Sequence, residues 1–119
     1  MQKVSFFDTK PYDKIYFDML KDEYGIEIEY FESKLSAKTA VMAKGSRGVV
    51  AFVNDSIDAK TIDVLKENGI EIIAMRCAGY NNVDLAAARD VMPVVRVPDY
   101  SPYAIAEHTI ALLLTLVRK

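Results

Sequence analysis

Cysteine and histidine are almost missing from this chain, which has one of each in 119 residues, Cys77 and His108. A single cysteine excludes an intramolecular disulfide. One Cys with one His falls short of the ligand set of a zinc site, so no metal is expected. Neither sign of charge is in excess: 15 Lys and Arg against 17 Asp and Glu leave a net −2, with both signs mixed along the chain. Such a chain lacks the long-range field that draws a protein to nucleic acid or to an anionic membrane, and neither is expected as a partner. Long hydrophobic runs are missing too. The longest apolar segment, Thr109 to Val117, is too short to cross a bilayer. Met1-Gln2-Lys3-Val4 runs straight into a strand-like stretch with no signal core. With the lone cysteine, these absences lead to the expectation of a soluble, cytoplasmic protein. No repeat, low-complexity tract or linker interrupts the sequence.

What is present is an ordinary globular composition, 51% hydrophobic and 27% charged, in a length suited to one domain with its own core. Strand-like and helix-like stretches alternate. Lys3–Phe7 is short, apolar and rich in β-formers, and Asp8-Thr9-Lys10-Pro11 then supplies helix-start chemistry, a capping side chain and an early proline. Tyr12, Ile15, Tyr16, Met19 and Leu20 fall on one helical face, expected to be the buried one, and Gly25 ends the helix. Ile26–Tyr30 alternates with period two and reads as a strand with one wet face. Ser36 is expected to cap a short helix through Val41 and Met42. Val49–Val53 is a continuous apolar run, the pattern of a central parallel strand covered on both faces. A helix containing Ile62, Leu65 and Lys66, a strand Ile70–Met75, a short helix from Asp84 to about Asp90 and a strand Pro93–Val97 follow. The fold class is therefore α/β, doubly wound, with a mostly parallel sheet of about five strands.

The last segment differs. Ser101-Pro102 is a good helix start, yet from Ile110 to Val117 apolar residues cover nearly every face. A surface helix of a small domain has a polar side. This one is expected to pair with protein outside the chain or with a second copy, a homodimer formed through the helix at 102–119, and the chain reads as cut, without a sixth strand.

Ligands of doubly wound sheets bind beyond the carboxyl ends of the strands, at the switch point. Two of the loops there stand out. In Arg76-Cys77-Ala78-Gly79-Tyr80-Asn81-Asn82-Val83-Asp84, Gly79 permits a turn that larger residues resist. Successive amides there, near the helix that begins around Asp84, suit a carboxylate; plain connection is the alternative. In Val97-Pro98-Asp99-Tyr100-Ser101-Pro102, the Tyr100 hydroxyl stands where it could reach a ligand, or the ring simply packs the loop.

Arg76-x-x-Gly79 with Asn82-Val83-Asp84, then Val97-Pro98-x-Tyr100-Ser101-Pro102 and Ile105-Ala106-Glu107-His108, is similar to the D-isomer-specific 2-hydroxyacid dehydrogenases. The Tyr-Ser-Pro variant and the opening Phe6-Phe7-Asp8-Thr9-Lys10-Pro11-Tyr12 resemble their D-lactate dehydrogenase branch most. The resemblance implies a flavodoxin-like substrate domain at 1–100 and an inter-domain helix at 101–119 leading to an NAD-binding domain. It implies that the amides of Ala78 and Gly79 hold the carboxylate of a small 2-oxo or 2-hydroxy acid, that Tyr100 lines the pocket of substrate and nicotinamide, that Phe52 covers the substrate's methyl side, and that Ile105 faces the nicotinamide. The parent reaction it implies is reduction of a 2-oxo acid, pyruvate above all, by NADH. The chain departs from the family in two ways. It has no G-x-G-x-x-G after a strand, since Gly45-Ser46-Arg47-Gly48 leads into one. No catalytic residue of the family falls within it either, so NAD is expected to be bound mainly by a domain outside it, and the isolated chain is expected to be inactive.

Two other readings stand beside this one: a free-standing flavodoxin-like binding module, and a non-catalytic, NAD-sensing relative. His108 follows Glu107 on a helix and is expected to pair or pack, Arg76 to brace its loop against Asp84, and Cys77 to be a quiet thiol at the pocket edge.

Overall fold

The computed structural model describes residues 2–52, 57–75, 83–89, 91–96 and 110–111. Five strands, β1 (Gln2–Phe6), β2 (Ile26–Tyr30), β3 (Gly48–Ala51), β4 (Ile72–Met75) and β5 (Val94–Arg96), form one sheet in the order β2-β1-β3-β4-β5. All four pairings are parallel. Helix α1 (Pro11–Tyr24) joins β1 to β2, a 3-10 turn at Ala40–Ala43 lies between β2 and β3, and α2 (Ala59–Glu67) and α3 (Leu85–Ala88) make the next two connections.

The central strands split their side chains between two cores, because successive residues of a strand point to opposite faces. Val4, Phe6, Val50, Ile72 and Ala74 face α1 and meet its Phe17 and Leu20; Phe6 and Phe17 pack edge to face at 4.7 Å. Phe7, Val49, Ala51, Ile73 and Met75 face the other way, onto Ala40 and Ala43, onto Ile62 and Leu65 of α2, and onto Ala88 and Met92. β3 and β4 are buried at all four of their positions, as a central parallel strand requires. β2, at the edge, keeps Glu27 and Glu29 in solvent.

Local chemistry differs from the sequence expectation in three places. α1 is capped from within: the Asp13 carboxylate accepts from the Lys10 amide at 2.9 Å, and neither Asp8 nor Thr9 is the cap residue. Its buried face is Asp13, Phe17 and Leu20, while Tyr12, Ile15 and Met19 are exposed. The stretch after Ser36 tightens into a 3-10 turn that buries Ala40 and Ala43 and leaves Val41 and Met42 outside. Gly25, at φ 67°, closes α1 with its amide on the Asp22 carbonyl. Ile110 and Ala111 are helical, and the Ile110 side chain is fully buried in the α1-side core; the rest of the expected final helix lies outside the described residues.

Candidate active-site edge

The order β2-β1-β3-β4-β5 places the switch point between β1 and β3, where the connection leaving β1 goes one way and that leaving β3 the other. Ligands of such sheets sit in the crevice outside these carboxyl ends. Beyond β1 the chain stays tied to both neighbours. The Phe7 amide donates to Val50 (2.9 Å), the Asp8 amide to Ser33 (2.8 Å) and the Thr9 amide to Phe31 (3.0 Å). Asp8 then turns with φ 52°, a left-handed conformation few non-glycine residues adopt, and is 2% exposed. Its Oδ1 lies 3.0 Å from the Lys10 ammonium. A buried, ion-paired carboxylate on a strained backbone at the switch point is a functional candidate. In the sequence Asp8 belongs to the helix-start stretch and to the opening motif of the resemblance, and nothing there marks a positive φ at an aspartate.

Beyond β3 comes Phe52, half-buried at the same edge. The connections after β3 and β4 run between paired anchors. Ala51 is paired with Met75 where they leave the sheet, and Ile57 with Val83 where they rejoin regular structure. The Asp84 amide donates to the Ile57 carbonyl at 2.9 Å, tightening the second anchor. The described residues on either side of these two connections are thus paired, Ala51 with Met75 and Ile57 with Val83. Of the expected site residues, Phe52 is placed at this edge, whereas Ala78, Gly79, Tyr100 and Ile105 lie outside the described residues, as do Arg76, Cys77 and His108.

The helix expected from about Asp84 is present and short. α3 has only four residues, and the Asp84 carboxylate already accepts from the Ala87 amide at 3.0 Å.

Clefts lined by described residues open elsewhere. One of about 480 Å³, lined by Thr9, Lys10, Pro11, Lys14, Tyr30 and Glu32, lies on the β2 side of β1. The Tyr30 phenol there donates to Asp18 at 2.7 Å. Burial first, then that bond and the charges of Asp18 and Asp13, drive its pKa well above the usual tyrosine value, so it stays a donor and is no base. The other, about 490 Å³, is an apolar groove at the β5 edge lined by Leu85, Ala88, Arg89, Val91, Met92, Pro93 and Val94. Neither contains an expected site residue. No group of three His, Cys, Asp or Glu among the described residues is placed to hold a metal, and no described helix is long and apolar enough to cross a membrane.

A parallel five-stranded α/β sheet in this order, with its ligand edge at the switch, is the class of protein these observations define. The family follows from comparison. Residues 4–115 match the profile described as D-isomer specific 2-hydroxyacid dehydrogenase, catalytic domain, and the chain belongs to that family. It is 54% identical over 118 residues to 2-hydroxyacid dehydrogenase homolog 1 of Schizosaccharomyces pombe, covering 98% of this chain and 36% of that protein. Its fold superposes on the apo-structure of Escherichia coli D-lactate dehydrogenase with a TM-score of 0.80 at 44% identity, covering 96% of this chain and 36% of that one. The structure of Lactobacillus jensenii D-lactate dehydrogenase with NAD+ gives 0.76 at 26% identity, covering 95% and 36%. The chain thus spans about 36% of the length of these proteins.

The residues described here do not fit a dinucleotide. A pyrophosphate cradle needs a glycine-rich turn between a strand and the helix after it, and Phe7–Lys10, between β1 and α1, has no glycine. Gly45, at φ 94°, precedes β3 and so stands at the opposite end of the sheet.

Proposed function

We propose that these residues form the acid-binding wall of a dehydrogenase that reduces a 2-oxo acid, pyruvate in the first instance, to the D-2-hydroxy acid with NADH. The observation that supports this best is the pairing of Ala51 with Met75 and of Ile57 with Val83 at the carboxyl edge of the sheet, where Phe52 lies. In this reading the Ala78 and Gly79 amides donate to the substrate carboxylate, Phe52 covers its methyl side, Tyr100 lines the pocket and Ile105 borders the nicotinamide. Residues 1–100 are the substrate domain, and 101–119 lead towards the unit that binds NAD. NADH supplies the hydride from that unit. The groups that polarise the carbonyl and deliver the proton, an arginine and a histidine paired with a carboxylate, belong to it as well, and no catalytic residue falls within the 119. The protein works in the cytoplasm, and copies pair through the helix at 102–119.

Two charge-assisted hydrogen bonds to a carboxylate, at about 1.5–3 kcal/mol each before the cost of association, support binding in roughly the millimolar range. Titrating the labelled 119-residue chain with pyruvate should shift the Ala78 and Gly79 amide resonances with such a constant. Adding NADH should change nothing, and no NADH should be consumed. Unmoved resonances remove the acid-binding role, and turnover above background removes the division of labour.

A further inference from the structure

Helix α2 ends in Asn68-Gly69, a dipeptide with a chemistry of its own. An asparagine side-chain amide is open to attack by the backbone nitrogen of the next residue, one reason asparagine counts among the heat-labile residues. Glycine in that next position has no Cβ to shield its nitrogen, so Asn-Gly offers the least steric resistance. Gly69 is exposed at φ 88°, and nothing lies within 4 Å of where a Cβ on it would stand, so water reaches this peptide bond. Both reacting groups are nevertheless engaged. The Asn68 side-chain amide donates to the Val64 carbonyl at 2.7 Å, which draws it back against the helix. The Gly69 backbone amide, whose proton has to leave before its nitrogen can attack, donates to the Lys66 carbonyl at 3.1 Å. The Asn68 and Ile70 amides close the same turn on Val64 and Leu65.

We propose that Asn68 is a site of spontaneous deamidation, gated by the opening of this turn. When the turn opens, the Gly69 nitrogen bonds to the side-chain carbonyl carbon of Asn68. The side-chain nitrogen leaves as ammonia, carrying the proton that Gly69 gives up, and a cyclic imide remains. Water then opens the ring, its hydroxyl going to a carbonyl carbon and its proton back to the nitrogen. Opening at the side-chain carbonyl restores the peptide bond with aspartate at 68; opening at the main-chain carbonyl leaves isoaspartate. The reaction works against the fold that delays it. A carboxylate cannot donate to Val64, and its charge falls at the negative pole of α2, next to Glu67. Isoaspartate also adds a methylene to the main chain, in the turn that must deliver Ile70, 1% exposed, to the core. A chain that has reacted once therefore opens more readily than before. The inference is independent of the function proposed above.

Incubating the 119-residue chain at neutral pH, folded and in urea, tests this, with aspartate and isoaspartate at position 68 followed by chromatography and mass spectrometry of its peptides. Conversion should be at least tenfold slower in the folded chain than in urea, because several hydrogen bonds must break together before attack. Lys66→Gly, at an exposed position of the last helical turn, should speed conversion in the folded chain severalfold through glycine's cost to a helix, and leave the rate in urea unchanged. Ser5→Ala, which weakens the domain at a buried strand position away from this turn, should not speed it. Asn68→Asp, which imitates one product, should lower the melting temperature. An Asn68 that stays unconverted in urea overturns the site, and equal rates in the folded and unfolded chains overturn the gating. A folded-state rate indifferent to Lys66→Gly, or raised as much by Ser5→Ala, overturns the local opening. Asn68→Asp melting at or above the parent overturns the consequence for the fold.

Discussion

Ser5 and Ser46 offer a quantitative check on how the switch point is built. Ser5 sits in β1 and Ser46 in the turn that leads into β3, so their hydrogen bond ties the two strands that flank the switch across 41 positions of sequence. The oxygens are 2.7 Å apart, and the residues are 0% and 3% exposed. Removing one hydroxyl therefore leaves the other buried with no water to replace its partner. An unsatisfied buried hydroxyl costs about 1–3 kcal/mol. Ser5→Ala or Ser46→Ala should each lose about 2 kcal/mol, or roughly 8 °C in melting temperature for a domain of this size. Removing both takes away the need along with the bond, so Ser5→Ala/Ser46→Ala should cost less than the two singles combined, with a coupling above about 1 kcal/mol. Urea unfolding followed by circular dichroism, with the slope unchanged among variants, measures all four corners of the cycle. Additive effects, or singles within about 0.5 kcal/mol of the parent, would refute the reasoning that this pair is desolvated and mutually dependent.

The remaining predictions concern the α1 face and acid stability. Phe17→Ala should cost about 3–5 kcal/mol, since it empties a buried ring site against Phe6, whereas Ile15→Lys in the monomer should stay within about 0.5 kcal/mol; thermal unfolding at low concentration distinguishes them, and the reverse ranking would mean that α1 turns its other face inward. Asp58 caps α2, and the Thr61 amide and hydroxyl that donate to it hold its carboxyl below the usual range. A depressed native pKa stabilises above the unfolded value, near 4, and that contribution is lost as pH falls through the native value. Asp58→Asn keeps an acceptor for Thr61 but removes the titration, so its stability should fall less steeply below about pH 4; superimposable acid limbs would contradict the assignment.

How far the sequence alone was legible follows from which interactions are local. A four-residue apolar run at β3 or β4 can only be satisfied by cover on both faces, so the central strands, and with them a parallel α/β sheet of five strands, were readable from Val49–Ala51 and Ile72–Met75. Caps and stops that act within a turn, such as Gly25 after α1 and Asp84 before α3, were readable for the same reason. The spacing of residues 76–84 and 97–108 pointed to the family, and the family match agrees.

Tertiary structure decided what depends on distant partners. α1 offers two apolar lines, Tyr12-Ile15-Met19 and Phe17-Leu20, and periodicity cannot choose between them; the position of Phe6 and Val50 on the sheet does, because only one line can meet those side chains. The strand order, and so the position of the switch, depends on β3 pairing with β1 and not with β2, which no local pattern encodes. The left-handed turn at Asp8 and the joining of Ile57 to Asp84 rest on hydrogen bonds to Ser33 and between Ile57 and Asp84, groups far apart in sequence that only the folded chain brings together.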